Sequence, residues 1–245
     1  MHVIGCGRAT KKGIMNRIRL GFILALTFAY PALAQHKQQD RIENSSRVLK
    51  EILRASNTIP QTVLDSANCI VILPSVIKTS FGLGSSFGRG VMTCRGGESF
   101  SGNWSAPTMM SLFGISAGPQ FGAEATDFVL LLVSPRSASS MLTSKVKLGV
   151  DATAAAGPFG RTASAETDIN MRAEILSYSR ARGLFAGVSL AGSTLRADND
   201  GNTKLYGKQV GAKDIVLSKV VEVPACAEEL LAILQKATPV NKSTK

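Results

Sequence analysis

Apolar and polar positions follow two different periods along this chain. Over residues 36–56, HKQQDRIENSSRVLKEILRAS sets Ile42, Leu49, Ile52 and Leu53 near one side of a helix, and Arg41, Arg47, Lys50 and Arg54 occupy much of the rest. That spacing predicts an amphipathic helix with a basic polar side. Ile59-Pro60 breaks it, Gln61 to Ala67 reads as a short helical turn, and the β-branched run Cys69 to Leu73 (CIVIL) predicts a buried strand that stops at Pro74. Helical period then disappears. From Phe81 to Pro135 the chain is dense in Gly and Ser and holds the only tryptophan, Trp104. Each interior Gly costs a helix about 1 kcal/mol relative to Ala, whereas strands use Gly for bulges and close backbone approach. Strands are therefore predicted near Ile77 to Gly84, Arg89 to Cys94 and Ser111 to Ala125, with a central strand at Phe128 to Val133, the most continuous apolar run after the leader.

Beyond Ser134-Pro135, residues Ser137 to Val146 predict a short helix, and Leu148 to Ala156 alternates weakly up to a Gly157-Pro158 turn. Thr167 to Ser179 and Gly183 to Arg196 read as two further strands, and DNDGN (Asp198 to Asn202) as a turn between strands. Ala212 to Lys219 reads as a short helix. Pro224 opens a helix through Lys236, with Glu228 and Glu229 early and Lys236 late, the polarity a helix dipole favours. The tail, residues 239–245, is expected to be disordered. Together these elements predict an α+β fold: a curved antiparallel, barrel-like Gly/Ser-rich β-sheet core flanked by N- and C-terminal helices. Three echoes, FGLGSSFG, FGISAGPQFG and FAGVSLAG, are unequally spaced, which excludes a solenoid.

Charge and the N-terminus change this picture. Lys11, Lys12, Arg17 and Arg19 precede an apolar core, LGFILALTFAY, and an Ala32-Leu33-Ala34 cleavage pattern, so residues 1–34 read as a secretory signal peptide. The apolar run is about half of what a membrane span needs. Met15 is an alternative start, since Arg17 and Arg19 would still lie ahead of the core. The formal charge of +11 falls to +6 once the leader is removed. That modest excess suits an anionic membrane surface and lacks the concentration of a dedicated nucleic-acid binder. An exported, periplasmic or extracellular protein in peripheral contact with membrane is the expectation. Cys69, Cys94 and Cys226 remain, an odd number in an oxidising compartment. Buried free thiols are the simpler expectation, and a bridge between Cys69 and Cys94 requires adjacent strands.

Catalytic chemistry finds little support. Gly84-x-Ser86-x-Gly88 and Gly114-x-Ser116-x-Gly118 match a nucleophile-elbow pattern. A serine hydrolase needs an anchored histidine, yet the two histidines are His2, in the leader, and His36, at the start of the mature chain. Gly82-x-Gly84-x-x-x-Gly88 is followed by neither a helix pattern nor an acidic residue at dinucleotide-loop distance. Asp198, Asp200 and Asn202 have part of a calcium-loop spacing, but Gly201 is one place early and the bidentate Glu is missing. The carboxylate pairs Glu124/Asp127 and Glu166/Asp168 have no anchored partner, so neither an enzyme nor a bound cofactor or metal is expected. The basic helix remains: either it covers the core with a solvated charged face, or Arg41, Arg47, Lys50 and Arg54 touch anionic lipid.

The ordered segments VLKEILRAS, CIVILPSVIKTSFGLGSSFGRGVM, NWSAP, GISAGPQFGAEATDFVLLL, AAGPFGR, YSRARGLFAGVSLAG and LYG resemble the SYLF lipid-binding domain family over nearly all of residues 35–238. The resemblance implies binding of phospholipids, phosphoinositides in eukaryotic members, actin binding in some of those, and no catalytic activity. It favours the N-terminal amphipathic segment as the membrane contact, here Arg41, Arg47, Lys50 and Arg54. Lys78, Arg89 and Arg161, basic residues beside the glycine strands, join them on charge alone. The secretory leader argues against actin as the partner. An interaction protein of the cell envelope with no lipid ligand is the alternative, and a serine hydrolase a remote one.

Overall fold

The computed structural model describes residues 35–55, 59–97, 99–158, 173–181, 184–187, 190 and 192–243. Residues 38–245 form one compact unit, separate from residues 1–37. Residues 1–34, expected to be a leader, and Arg161, Glu166 and Asp168 lie outside the described residues.

Helix α1 spans 35–54. It is followed by α2 (Gln61–Asp65), β1 (Cys69–Cys94), β2 (Thr108–Leu132), α3 (Pro135–Thr143), β3 (Val146–Lys147), β4 (Ala154–Ala156), β5 (Ile175–Ala181), β6 (Leu184–Gly187) and β7 (Ser193–Ala197). Then come α4 (Asn199–Tyr206), α5 (Ala212–Val216), a 3-10 turn (Ala225–Ala227) and α6 (Glu228–Ala237). The fold is α+β, a curled barrel-like sheet with helices at both ends of the chain. β2 is its hub. It pairs with β1 along one edge, and with β7 and β5 at opposite ends of the other. The described ladders are antiparallel except β4 with β5, which run parallel.

The strands expected at Cys69 to Leu73, Ile77 to Gly84 and Arg89 to Cys94 are one strand. Pro74 bends it without ending it: the register with β2 shifts between Leu73 and Val76, and Ser75 takes a left-handed φ of 50°. A bulge is where a sheet tolerates Pro, and the side chain of Asp127 accepts the Ser75 N–H at 2.8 Å. A straight strand of this length would reach about 85 Å, yet the Cα atoms of its first and last residues, Cys69 and Cys94, are 3.9 Å apart and their sulfurs are bonded. The β1–β2 ribbon has turned back on itself. This corrects the expectation of buried free thiols; Cys226 is the free cysteine of the three. Gly90 is needed at the crossing, because a Cβ there would stand 1.9 Å from the Ile72 carbonyl oxygen.

Curling gives the sheet an inside and an outside, and along Cys69–Leu73 and Phe128–Leu132 both are buried. Cys69, Val71 and Leu73 of β1, with Phe128, Leu130 and Leu132 of β2, face inward with Met92, Met110, Leu112 and the α3 side chains Met141 and Leu142. The alternate residues Ile70, Ile72, Val129 and Leu131 face outward, under Ile42, Leu49 and Ile52 of α1, Leu64 of α2 and Leu230 and Leu234 of α6. Burial on both faces explains the unbroken apolar run at Phe128 to Val133. Each such side chain contributes about 1.5–3 kcal/mol.

Other boundaries differ from expectation for local reasons. Ser134-Pro135 starts α3 as well as ending β2, with Pro at the first helical turn and the Ser134 hydroxyl accepting the Arg136 N–H. The strand expected at Gly183 to Arg196 is divided into β6 and β7. DNDGN is the N-terminus of α4, where Asp198 Oδ1 caps the Gly201 N–H at 3.0 Å. The tail is held through residue 243. Fully buried Arg95 stacks on Trp104, 4.6 Å from the ring centre, and its Nη2 donates to the Thr238 carbonyl (2.6 Å) and hydroxyl (2.8 Å). Asn241 donates to Asn68, and Lys242 pairs with Asp65. Burial alone would raise the Asp65 carboxyl, but hydrogen bonds from Lys242, Gln61 and Thr238 hold it below the ordinary value.

Two stability measurements test this architecture. Breaking the 25-residue disulfide loop with reductant or with Cys69→Ala/Cys94→Ala is expected to lower the urea-unfolding free energy by about 3 kcal/mol; no change would mean that packing alone closes the ribbon. Gly90→Ala is expected to cost on the order of 3 kcal/mol or to prevent folding, and native-like stability of that variant would contradict the backbone crossing.

Candidate anion-binding site

Where β1 bends at Pro74, α1 passes over the ribbon and leaves a cavity of about 280 Å³ lined by Arg41, Asn44, Ser75, Ile77, Phe87 and Arg89, among others. Arg41 reaches it from α1. One helical step earlier, Gln38 accepts a hydrogen bond from Arg41 Nη1 at 2.6 Å and orients the guanidinium. Arg89 comes from the second half of β1, carried back to α1 by the curl, and its guanidinium lies 5.5 Å from the centre of the Phe87 ring.

Between the two arginines stands Asp198. Its Oδ1 is committed to capping α4; its Oδ2 is buried without a hydrogen-bond partner, 3.8 Å from Arg41 Nη1 and 3.9 Å from Arg89 Nε. Two cations thus share one carboxylate at distances too long for hydrogen bonds, leaving the site formally positive by one unit. The Arg41 side chain is 21% exposed and that of Arg89 45%. Burial, then the neighbouring charge of Arg89, pull the pKa of Arg41 down, and Asp198 opposes them. An anion entering here would relieve the repulsion and offer the guanidiniums hydrogen bonds that Asp198 does not make. Ile77 and Phe87 give the cavity an exposed apolar side.

The structure divides the residues expected at the site. Arg41 and Arg89 come together. Arg47 and Arg54, about two helical turns apart, are exposed on α1, and Arg47 donates to Asn44 within the helix. Lys50 is paired with Glu229 of α6. Lys78 lies 4.7 Å over the Phe128 ring, opposite Glu124 in the ladder. Arg47, Lys50 and Arg54, spaced i, i+3 and i+7, share one stripe of α1, and Arg41 lies off that stripe, at the cavity. Asp198 and the apolar pair Ile77/Phe87 were not legible as site residues, although an Asp ahead of a short helical segment is a cap signal. A larger open cleft of about 580 Å³, bordered by Lys145, Arg196 and Lys213, gathers none of the expected residues and no buried unpartnered group. Ser86 sits within β1 opposite Gly114, with no helix after it to form an elbow, and the described residues contain no His/Cys/Asp/Glu group able to hold a metal. No helix among them is long and apolar enough to cross a membrane.

This geometry sits in a domain with known relatives. Residues 113–237 match the family model described as "Ysc84: Las17-binding protein actin regulator". The chain is 36% identical over 188 residues to "SH3 domain-containing protein PJ696.02" of Schizosaccharomyces pombe, covering 76% of this chain and 43% of that protein. It is 35% identical over 188 residues to "Protein YSC84" of Saccharomyces cerevisiae, covering 76% and 39%. The human "SH3 domain-containing YSC84-like protein 1" is 32% identical over 203 residues, covering 80% and 58%. The chain belongs to the Ysc84 (SYLF) domain family. It spans roughly 40–60% of the length of these relatives.

The two oxygens of Asp198 make a separable prediction. Asp198→Ala removes the helix cap and is expected to lower stability by about 1 kcal/mol, whereas Asp198→Asn keeps a cap and is expected to cost less. In thermal unfolding at low salt, added inorganic phosphate should raise the Tm of Asp198→Asn more than that of the wild type, because the arginines lose their internal counter-charge. Equal shifts would count against an anion site.

Proposed function

We propose that this chain is a non-catalytic, exported domain that binds anionic phospholipid at a membrane surface, the head-group phosphate lying between Arg41 and Arg89. The observation that carries this reading is the pair of guanidiniums sharing the half-satisfied carboxylate of Asp198, open on one side to exposed Ile77 and Phe87. A phosphate with an acyl chain beside it matches that division into charged and apolar walls. Exposed Arg47 and Arg54 supply the surrounding positive field, each worth about 1 kcal/mol near an anionic surface before screening, whereas Lys50 and Lys78 have acidic neighbours in Glu229 and Glu124. The family resemblance points to phosphatidylinositol-type lipids, and in a bacterial envelope another anionic phospholipid would serve. Export is supported by the leader pattern and by the buried Cys69–Cys94 disulfide, since such bonds persist in oxidising compartments. The family description names Las17 binding and actin regulation, which favours a second reading as a docking module for a cytoskeletal protein. An exported chain would not meet that partner.

Co-sedimentation with vesicles tests the first reading. The wild type is expected to bind phosphatidylglycerol/phosphatidylcholine vesicles, to ignore pure phosphatidylcholine and to be released by high salt. Arg89→Glu should weaken binding by on the order of tenfold. Arg136→Glu, at an exposed position on α3, should leave it unchanged. Indifference to vesicle charge, or equal effects of the two reversals, would refute the assignment.

A further inference from the structure

Ile77, Phe87, Phe113 and Ile115 are large apolar side chains left 53%, 49%, 54% and 67% exposed, and all four lie on the β1–β2 ribbon. Register gathers them. Phe87 is directly opposite Phe113, and Ser85 directly opposite Ile115; residues so paired project from the same face. The Thr79 and Ser85 hydroxyls meet at 3.0 Å, bringing the Ile77 side of the folded ribbon against the Phe87 side. The next row on the same face is Arg89, Ser111 and Arg196, where Arg196 Nε donates to the Ser111 hydroxyl at 3.3 Å. The Phe87–Phe113 row continues through Thr194 to exposed Lys147. The face thus has an apolar centre and a cationic margin, with no acidic side chain in these rows.

A solvent-facing strand normally carries polar residues at such positions, and the intervening residues Gly88, Leu112 and Gly114 are buried, so this alternation is apolar on both sides. We infer that the outer face of the ribbon, Phe87, Phe113 and Ile115 with Ile77, enters the acyl region of an anionic bilayer while Arg89 and Arg196 stay at its phosphates. The inference rests on the lipid-binding reading above and extends it from a head-group pocket to a surface that engages the bilayer. Charge complementarity selects this occupant: large apolar groups flanked by Arg and Lys are the composition of interfacial membrane contacts. Spacing agrees, since Phe87 lies one two-residue strand step, about 7 Å, from Arg89, within the depth that interfacial apolar side chains reach. Phe87 and Ile77 also line the anion cavity, so head group and chains would be met by one continuous surface.

Phe113→Ser/Ile115→Ser alters exposed side chains outside that cavity and should leave thermal unfolding unchanged. Its affinity for phosphatidylglycerol/phosphatidylcholine vesicles is expected to fall by roughly tenfold or more. Binding of soluble dihexanoyl phosphatidylglycerol, measured below its micelle concentration by calorimetry, should be unchanged. Ile115→Trp should show emission that shifts blue on vesicle addition and is quenched by brominated acyl chains. Undiminished vesicle binding by the double variant, or an unquenched Trp, would overturn bilayer insertion even if the short-chain lipid still bound, leaving the pocket reading intact. Failure of the wild type to bind either lipid form would refute both. If sedimentation instead showed that the wild type self-associates and the double variant does not, the face would be a contact between copies of the chain, and the inference would be wrong.

Discussion

The return of one long strand onto itself is the constraint from which the rest of the molecule follows. β1 leaves the disulfide at Cys69 and comes back to it at Cys94, carrying β2 along its whole length. A flat ribbon would expose two apolar faces. Curling hides one inside the coil and presents the other to α1, α2 and α6. The close approach of the strand's two halves is possible only where a side chain is missing, which is the physical role of Gly90. The curl also brings Arg89 back to α1, so the candidate site is a product of closure rather than of local sequence.

A second fastening holds the mouth of the coil. Arg95, immediately after the disulfide, is buried against Trp104 and takes hold of Thr238 at the end of α6. Burying a guanidinium is costly unless its donors are satisfied. Here the tail supplies acceptors for the Nη atoms, while Nε stays buried without a hydrogen-bond partner, so the last helix and the first strand are secured together at some cost.

Much of this architecture was legible in the chain. The helical period of α1 and the β-branched Cys69–Leu73 segment located two elements, and the continuous apolar run at Phe128–Val133 marked a strand buried on both faces. Gly and Ser density correctly indicated curved, closely packed strands. What sequence could not reveal was continuity, because a bulge at Pro74-Ser75 looks locally like a strand end; only the ladder with β2 distinguishes bending from stopping. The Cys69–Cys94 bridge, which required adjacent strands, could not be decided for the same reason. The candidate site was half legible: Arg41 and Arg89 stood out as cations, but a helical pattern of basic residues does not show which will be claimed by acids elsewhere in the fold. Glu229 claims Lys50, and Asp198, 157 positions from Arg41 in the numbering, stands beside it and Arg89.

Asp198 has one further consequence. Because one oxygen fastens the first turn of α4 and the other only balances charge, scaffold and affinity are separately adjustable at a single residue. An incoming anion can draw both guanidiniums toward itself without unwinding anything. On the lipid-binding reading, the internal carboxylate would compete with the ligand for both guanidiniums, and a doubly charged phosphate would gain more by replacing its field than a singly charged one.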